Sequence, residues 1–332
     1  MQTKIKGIVL CFLLAIPAFF LGRQFPIVGG PVFGILLGLI FAYWKRPAAF
    51  NDGISFTSKK ILQYAIILLG FGMNLFQVFK VGGQSLIIMI FTLAASFLTA
   101  YFMGKVLKLK GNVPILIGVG TSICGGSAIA ATAPVIKASD KDMAFSISTI
   151  FLFNVVAVFI FPALGHAMGM DDMNFGMWAG TAINDTSSVV AAGYAFSDAA
   201  GDYATIVKLT RTLMIIPITL VLAVYMTRKA KKGLGESGEY SIKKIFPWFI
   251  IGFLGASVIY TLCASFHVIP QAVFDALAEI GKYMIIMAMV AIGLNTKLNE
   301  LIKNGARPIL LGLCCWFAVA VVSLICQYFL MM

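Results

Sequence analysis

Apolar stretches long enough to cross a bilayer recur from one end of this chain to the other. In hydrocarbon every backbone N–H and C=O must find a partner within the chain, so only helices and closed barrels span it. A barrel strand is about 10 residues of alternating polarity. These stretches run to roughly 17–24 residues and do not alternate. We read about eleven of them, at roughly 5–21, 27–44, 61–79, 85–104, 113–136, 143–165, 174–197, 203–226, 248–266, 273–294 and 308–331. The expected fold is an all-α polytopic membrane protein, one integral membrane domain over residues 1–332 with its core around 61–226 and 273–296. Only 11% of the residues are charged, against about 25% in a soluble domain.

The formal net charge of +12 raises a nucleic-acid partner, but the basic residues are spread over short loops and read as topogenic instead. With the N-terminus in the cytoplasm, Lys4, Lys6, Lys45, Arg46, Lys59, Lys60, Lys105, Lys108, Lys110, the run from Arg228 to Lys244, Lys297, Lys303 and Arg307 fall inside. Only Arg23, Lys80, Lys137 and Lys141 fall outside. This predicts a multi-pass membrane protein with a cytoplasmic N-terminus and an external C-terminus. The loop 228–244, with Gly233, Gly235 and Gly238 among its basic residues, reads as a flexible connector. The basic-flanked first segment has no small-residue cleavage site after it and is kept as a helix. All six cysteines lie in apolar segments without a C-x-x-C spacing, so no disulfide framework, metal site or cofactor is expected.

Two polar knots interrupt this pattern. Gly180-Thr-Ala-Ile-Asn-Asp-Thr-Ser-Ser188 lies midway along an apolar segment, and its Asp185 would cost roughly 2.5–3.5 kcal/mol at a bilayer centre. Sixty positions earlier stands Gly120-Thr-Ser-Ile-Cys-Gly-Gly-Ser127, in which Gly120, Thr121, Ile123 and Ser127 match Gly180, Thr181, Ile183 and Ser187. Gly125-Gly126 is a poor helix interior, at about 1 kcal/mol per glycine relative to alanine. Both knots are therefore expected to break their helices, which membranes tolerate only where the backbone is buried in protein or lines water. They are either full crossings, giving eleven spans, or re-entrant hairpins from opposite faces, giving nine spans and two hairpins. A further echo, Gly70-Phe-Gly-Met-Asn-Leu75 against Ala291-Ile-Gly-Leu-Asn-Thr296, suggests inverted repeats of the kind secondary transporters use.

The candidate substrate contacts are Ser122, Cys124, Gly125, Gly126, Ser127, Asn184, Thr186, Ser187 and Ser188. Freed N–H groups at a half-helix start bind anions, and the hydroxyls either donate as well or bond back to their own helix. Lys208 and Arg211 share one helix face. Both are candidate substrate contacts that supply positive charge, Lys208 from nearer the outer end, where it can also snorkel, and Arg211 from deeper. Arg211 reads either as an ion-pair partner of Asp185 or as a cationic wall for an oxyanion. Asp185 is the candidate ion-coupling acid. Asp275, Glu279 and Lys282 form one stripe with a Glu279–Lys282 pair expected, and Lys282, Asn74 and Asn295 are secondary candidates.

The runs Ser122-Ile-Cys-Gly-Gly-Ser-Ala-Ile-Ala-Ala131, Asn184-Asp-Thr-Ser-Ser-Val-Val-Ala-Ala-Gly193 and Val207-Lys-Leu-Thr-Arg211 together resemble the YeiH-type inner-membrane proteins, a family named for sulfate export. Leu69-Gly-Phe-Gly-Met-Asn-Leu75 and Ile292-Gly-Leu-Asn-Thr296 fit it too. The resemblance implies a place in the bacterial inner membrane and export of sulfate or a sulfonate. It also implies an architecture like that of bile-acid symporters and sodium/proton antiporters, with a core of crossed broken helices and a panel. That family often carries histidine where this chain has Asn184, so histidine-based proton coupling there is not expected. The leading expectation is a secondary transporter exporting a small anion by alternating access, with H+ or Na+ as coupling ion, the lipid bilayer as surroundings and a homodimer as assembly. A cation/proton antiporter using Asn184-Asp185 is the alternative. An intramembrane hydrolase with Cys124 or a knot serine is a distant one, because His166 and His267 lie away from both knots. No P-loop suggests a pump.

Overall fold

A computed structural model describes residues 2–25, 28–44, 46–109, 111–231, 247–266, 269–296 and 306–330. Most of the expected connector between Arg228 and Lys244 lies outside these, as do Lys45, Lys110, His267, Lys297 and Lys303. Every regular element among the described residues is helical. The chain runs α1 Gln2–Gln24, α2 Gly30–Ala42, α3 Asn51–Phe56, a π turn Thr57–Ile61, α4 Leu62–Leu69 and α5 Leu75–Val106. It continues through α6 Val113–Ser122, α7 Gly126–Thr132, α8 Asp140–Ala167, α9 Asp172–Ala182, α10 Thr186–Phe196, α11 Asp198–Leu213 and α12 Ile215–Lys231. The last described helices are α13 Trp248–Phe266, α14 Gln271–Asn295 and α15 Ala306–Leu330.

Seven helices among the described residues are long and apolar enough to cross a membrane. The other apolar stretches resolve differently. At 13 residues, α2 is shorter than the roughly 20 a perpendicular crossing needs. The stretch 61–79 is divided at Gly70–Asn74, where Asn74 caps the new helix α5 by accepting the Phe76 N–H at 2.9 Å. The two knots divide 113–136 and 174–197 into α6 with α7 and α9 with α10.

Neither knot is a kink in a through-going helix. Asn112, just before α6, donates its side-chain N–H to the Ile136 carbonyl, just after α7, at 3.5 Å. Ile129 of α7 packs back on Gly120 of α6. The second pair closes in the same way: Ser197 after α10 donates its hydroxyl to Asp172 at the start of α9 at 2.6 Å, and the Phe175 and Phe196 rings stack at 4.0 Å. Each knot is thus the tip of a helical hairpin.

Helix α8 serves as a ruler for both hairpins. It has 28 residues, about 42 Å at 1.5 Å per residue. Ser139 starts it by accepting the Asp142 N–H at 3.1 Å, and Asp142 accepts the Asn112 N–H at 3.3 Å at the base of hairpin one. Its far end packs on the base of hairpin two, where His166 stacks on Phe196 at 4.2 Å. Halfway along, Asn154 accepts the Asp185 N–H at 3.1 Å. The hairpins therefore enter from opposite ends and their tips meet in the middle. Helix α11 runs from the base of hairpin two to these tips. It packs on α9 so closely that a Cβ on Gly176 or Gly180 would lie within 3 Å of Tyr203 or Val207.

Candidate functional site

Each tip leaves the last carbonyls of one half-helix without the partners a continuing helix would supply. Two cations on consecutive turns of α11 take them up. Lys208 Nζ donates to the Ile123 carbonyl at 2.6 Å and to the Ile183 carbonyl at 3.0 Å. Arg211 Nε donates to the Ser122 carbonyl at 2.7 Å, and its two terminal nitrogens donate to the carbonyls of Thr121 and Thr181. One of them also reaches the Ile183 carbonyl at 3.4 Å. Thr121 and Thr181, like Ile123 and Ile183, are matching positions of the repeated motif. The repeat thus delivers equivalent carbonyls to one shared pair of cations.

Both cations are fully buried. Lys208 does not sit at an outer end and does not snorkel; it lies at the tips beside Arg211. Arg211 does not pair with Asp185 among the described residues, because its donors are committed to backbone. Asp185 has another task. It caps α10, accepting the Ser187 N–H at 3.0 Å and the Ser187 hydroxyl.

On the other side of the tips lies a cavity of about 440 Å³. Gly126, Ser127, Asp185, Thr186 and Ser187 supply its floor, Asn154 and Phe151 of α8 one wall, and Lys59, Lys60 and Gln63 the opposite one. Ser122, Cys124, Asn184 and Ser188 are buried behind this lining. The Ser122 hydroxyl bonds back to the Val119 carbonyl at 3.1 Å, and the Ser127 hydroxyl to the Cys124 carbonyl at 3.0 Å and its sulfur at 2.9 Å. Both side-chain atoms of Asn184 and the Thr121 hydroxyl have no partner among the described residues.

Each half-helix end carries about half an elementary charge, positive at the N-terminus and negative at the C-terminus. The negative ends of α6 and α9 face the Lys208 and Arg211 side chains, and the positive end of α10 is capped by the Asp185 carboxylate.

A second cavity of about 410 Å³ lies at the other end of α10, lined by Tyr194–Asp198, Gly29, Gly30, Arg23, Glu279 and Lys282. Lys282 is here, away from the tips. It pairs with Glu279 at 2.9 Å, as its spacing predicts, and also with Asp198 at 2.9 Å. Asp202 accepts the Tyr194 hydroxyl nearby. Asn74 and Asn295 line neither cavity: Asn74 is the cap of α5, and Asn295 accepts from Arg46 at 3.2 Å at the end of α14. Asn154, Lys59, Lys60, Tyr194 and Asp202 were not singled out from sequence as site residues. A lone asparagine in the long apolar helix α8 was the legible signal for the first.

The profile of the family described as Conserved hypothetical protein 698 matches residues 6–312 of the chain. A UPF0324 membrane protein of Fusobacterium nucleatum is 51% identical over 341 residues, covering 98% of this chain and 97% of that one. One of Streptococcus pyogenes serotype M18 is 54% identical over 330 residues, covering 98% and 96%. Another, of Streptococcus mutans serotype c, is 50% identical over 333 residues, covering 98% and 97%.

Proposed function

The chain belongs to the UPF0324 family of membrane proteins, described as Conserved hypothetical protein 698, and on that premise we propose that it is a secondary transporter exporting a small anion. The cargo class is sulfate, a related sulfur oxyanion or a sulfonate. One observation carries the reading: two opposed hairpin tips, held together by buried Lys208 and Arg211, form the floor of a cavity halfway along α8. Broken backbone at that depth is the usual construction of a transporter site. A second cavity at the far end of the 11-residue α10, about 16 Å away at 1.5 Å per residue, suits alternating access to one site.

In this reading Gly126, Ser127, Thr186 and Ser187 contact the anion, Ser122, Cys124, Gly125, Asn184 and Ser188 shape the tips behind them, and Asp185 couples or gates. Lys208 and Arg211 act at one remove, as positive potential and as the fastening of the tips. By the bias of basic residues the Lys59 cavity faces the cytoplasm. The antiporter alternative draws on Asp185 at the cavity floor. The hydrolase alternative has little to build on: the Cys124 sulfur accepts from Ser127, and His166 stacks at the base of hairpin two.

Reconstituted vesicles separate these readings. An anion exporter shows sulfate or sulfonate counterflow that is indifferent to sodium. An antiporter shows sodium-driven proton movement and no anion flux, and that result would overturn the proposal.

A further inference from the structure

In sequence Lys59 and Lys60 read as topogenic basic residues of a short cytoplasmic loop. The structure puts them in the wall of the tip cavity, with Gln63 and Ile66 beside them. They lie in the π turn Thr57–Ile61, set between the ordinary helices α3 and α4. A π turn inserts one residue into the helical register and is often found at functional sites. Lys60 Nζ donates to Gln63 Oε1 at 3.2 Å, and neither lysine forms an ion pair among the described residues. Asp185 is the single carboxylate among the lining residues, and Ser187 already holds it. The two ammonium groups of the wall, both exposed to solvent, therefore outnumber the one carboxylate in the cavity, which keeps its charge while it accepts from Ser187. A topogenic role accounts for basic residues at one end of the molecule; it does not account for their sharing a cavity with both tips.

We propose that the Lys59–Lys60 π turn is a charge filter, making this cavity favour divalent over monovalent anions. The inference rests on the transporter reading and names the cargo's charge class. Its logic is that Coulomb energy scales with the charge of the occupant. Whatever factor the two lysines contribute to binding a monoanion, they contribute its square to binding a dianion. For two charges roughly 10 Å from the occupant in screened, water-rich surroundings, that means about 3-fold for a monoanion and about 10-fold for a dianion.

The potential is measured first, independently of transport. Ile147 lines the cavity, so Ile147→Cys is reacted with anionic and cationic methanethiosulfonate reagents, with the rate of protein lacking this cysteine subtracted. Adding Lys59→Gln and Lys60→Gln should lower the anionic-to-cationic rate ratio about 10-fold. An unchanged ratio overturns the filter whatever the protein transports.

Flux follows in vesicles of zwitterionic lipid, which removes the surface potential of the membrane. With sulfate and methanesulfonate as probes, the double glutamine variant should raise KM about 10-fold and about 3-fold, leave kcat within about 2-fold, and be rescued by Lys59→Arg with Lys60→Arg. An equal rise for both probes, as a misplaced wall would give, overturns the filter. If the ratio falls but the wild-type protein moves neither probe, the transport reading fails and the electrostatic finding stands.

Discussion

The two hairpins solve one problem with different residues. Each must end a helix at mid-depth, turn back and begin another. Hairpin one does so with Gly125 at φ +68°, a conformation that favours glycine, and α7 starts without a side-chain cap. Hairpin two turns with Ile183 and Asp185 in extended conformation and no residue at positive φ, and caps α10 with a carboxylate. Their outgoing arms differ as well, 7 residues in α7 against 11 in α10. What they share is the incoming end. Thr121 with Ile123 and Thr181 with Ile183 give their carbonyls to Arg211 and Lys208. The part under common constraint is therefore the half that meets the cations, and the two tips are free to differ ahead of it.

The largest expected effect breaks that shared part. Arg211→Met leaves the carbonyls of Thr121, Ser122 and Thr181 buried without their donor, at about 1–3 kcal/mol each if nothing replaces it. The melting temperature of detergent-purified protein should fall steeply. Hydrogen exchange should rise at 121–123 and 181–183 together; a rise confined to one hairpin would show that the staple serves only that one. Arg211→Lys should recover part of the loss, since an ammonium keeps the charge but not the fork of donors.

A smaller effect sharpens the contrast between the tips. Gly125→Ala forces a side chain into a left-handed conformation at roughly 1–3 kcal/mol, and its Cβ would meet Asp185 Cβ at 3.4 Å. Gly126→Ala, one residue on, begins a helix with only Ile147 at 3.9 Å and should be neutral or stabilising by up to about 1 kcal/mol. Thermal melts of the two variants should separate by several degrees. Equal melts would mean that hairpin one does not depend on its positive-φ turn.

The reach of sequence follows the same division. Glycine-threonine pairs at matched spacing and polar residues inside apolar segments marked both breaks, because those residue types cannot be left idle in hydrocarbon. Arg211 was marked as deep by its distance from any loop. The partners of the two cations were not legible: backbone carbonyls have no side-chain signature, so Arg211 was expected to meet Asp185 or an anion. Reversal of the chain at each knot was open too. It is decided by contacts such as Asn112 with Ile136 and Ser197 with Asp172, pairs more than 20 residues apart with no local pattern. Lys59 and Lys60 read as loop charges because a π turn's extra residue leaves no mark in composition.

The smallest effect on stability bears most on function, and it lies at Asp185, the carboxylate at the tip of hairpin two. As a cap, Asp185 is replaceable by asparagine at little cost, because both side chains accept an N–H at a helix start about equally well. Asp185→Asn should therefore melt within about 0.5 kcal/mol of the wild-type protein, while Asp185→Ala, which has no acceptor, should lose about 0.5–2 kcal/mol. A carboxylate that only caps predicts that the asparagine variant transports normally at every pH. A coupling acid predicts a well-folded asparagine variant whose flux no longer responds to the proton gradient. Measuring melt and pH-driven flux on the same preparation distinguishes the two, because the cap needs only a lone pair and coupling needs a group that can release a proton.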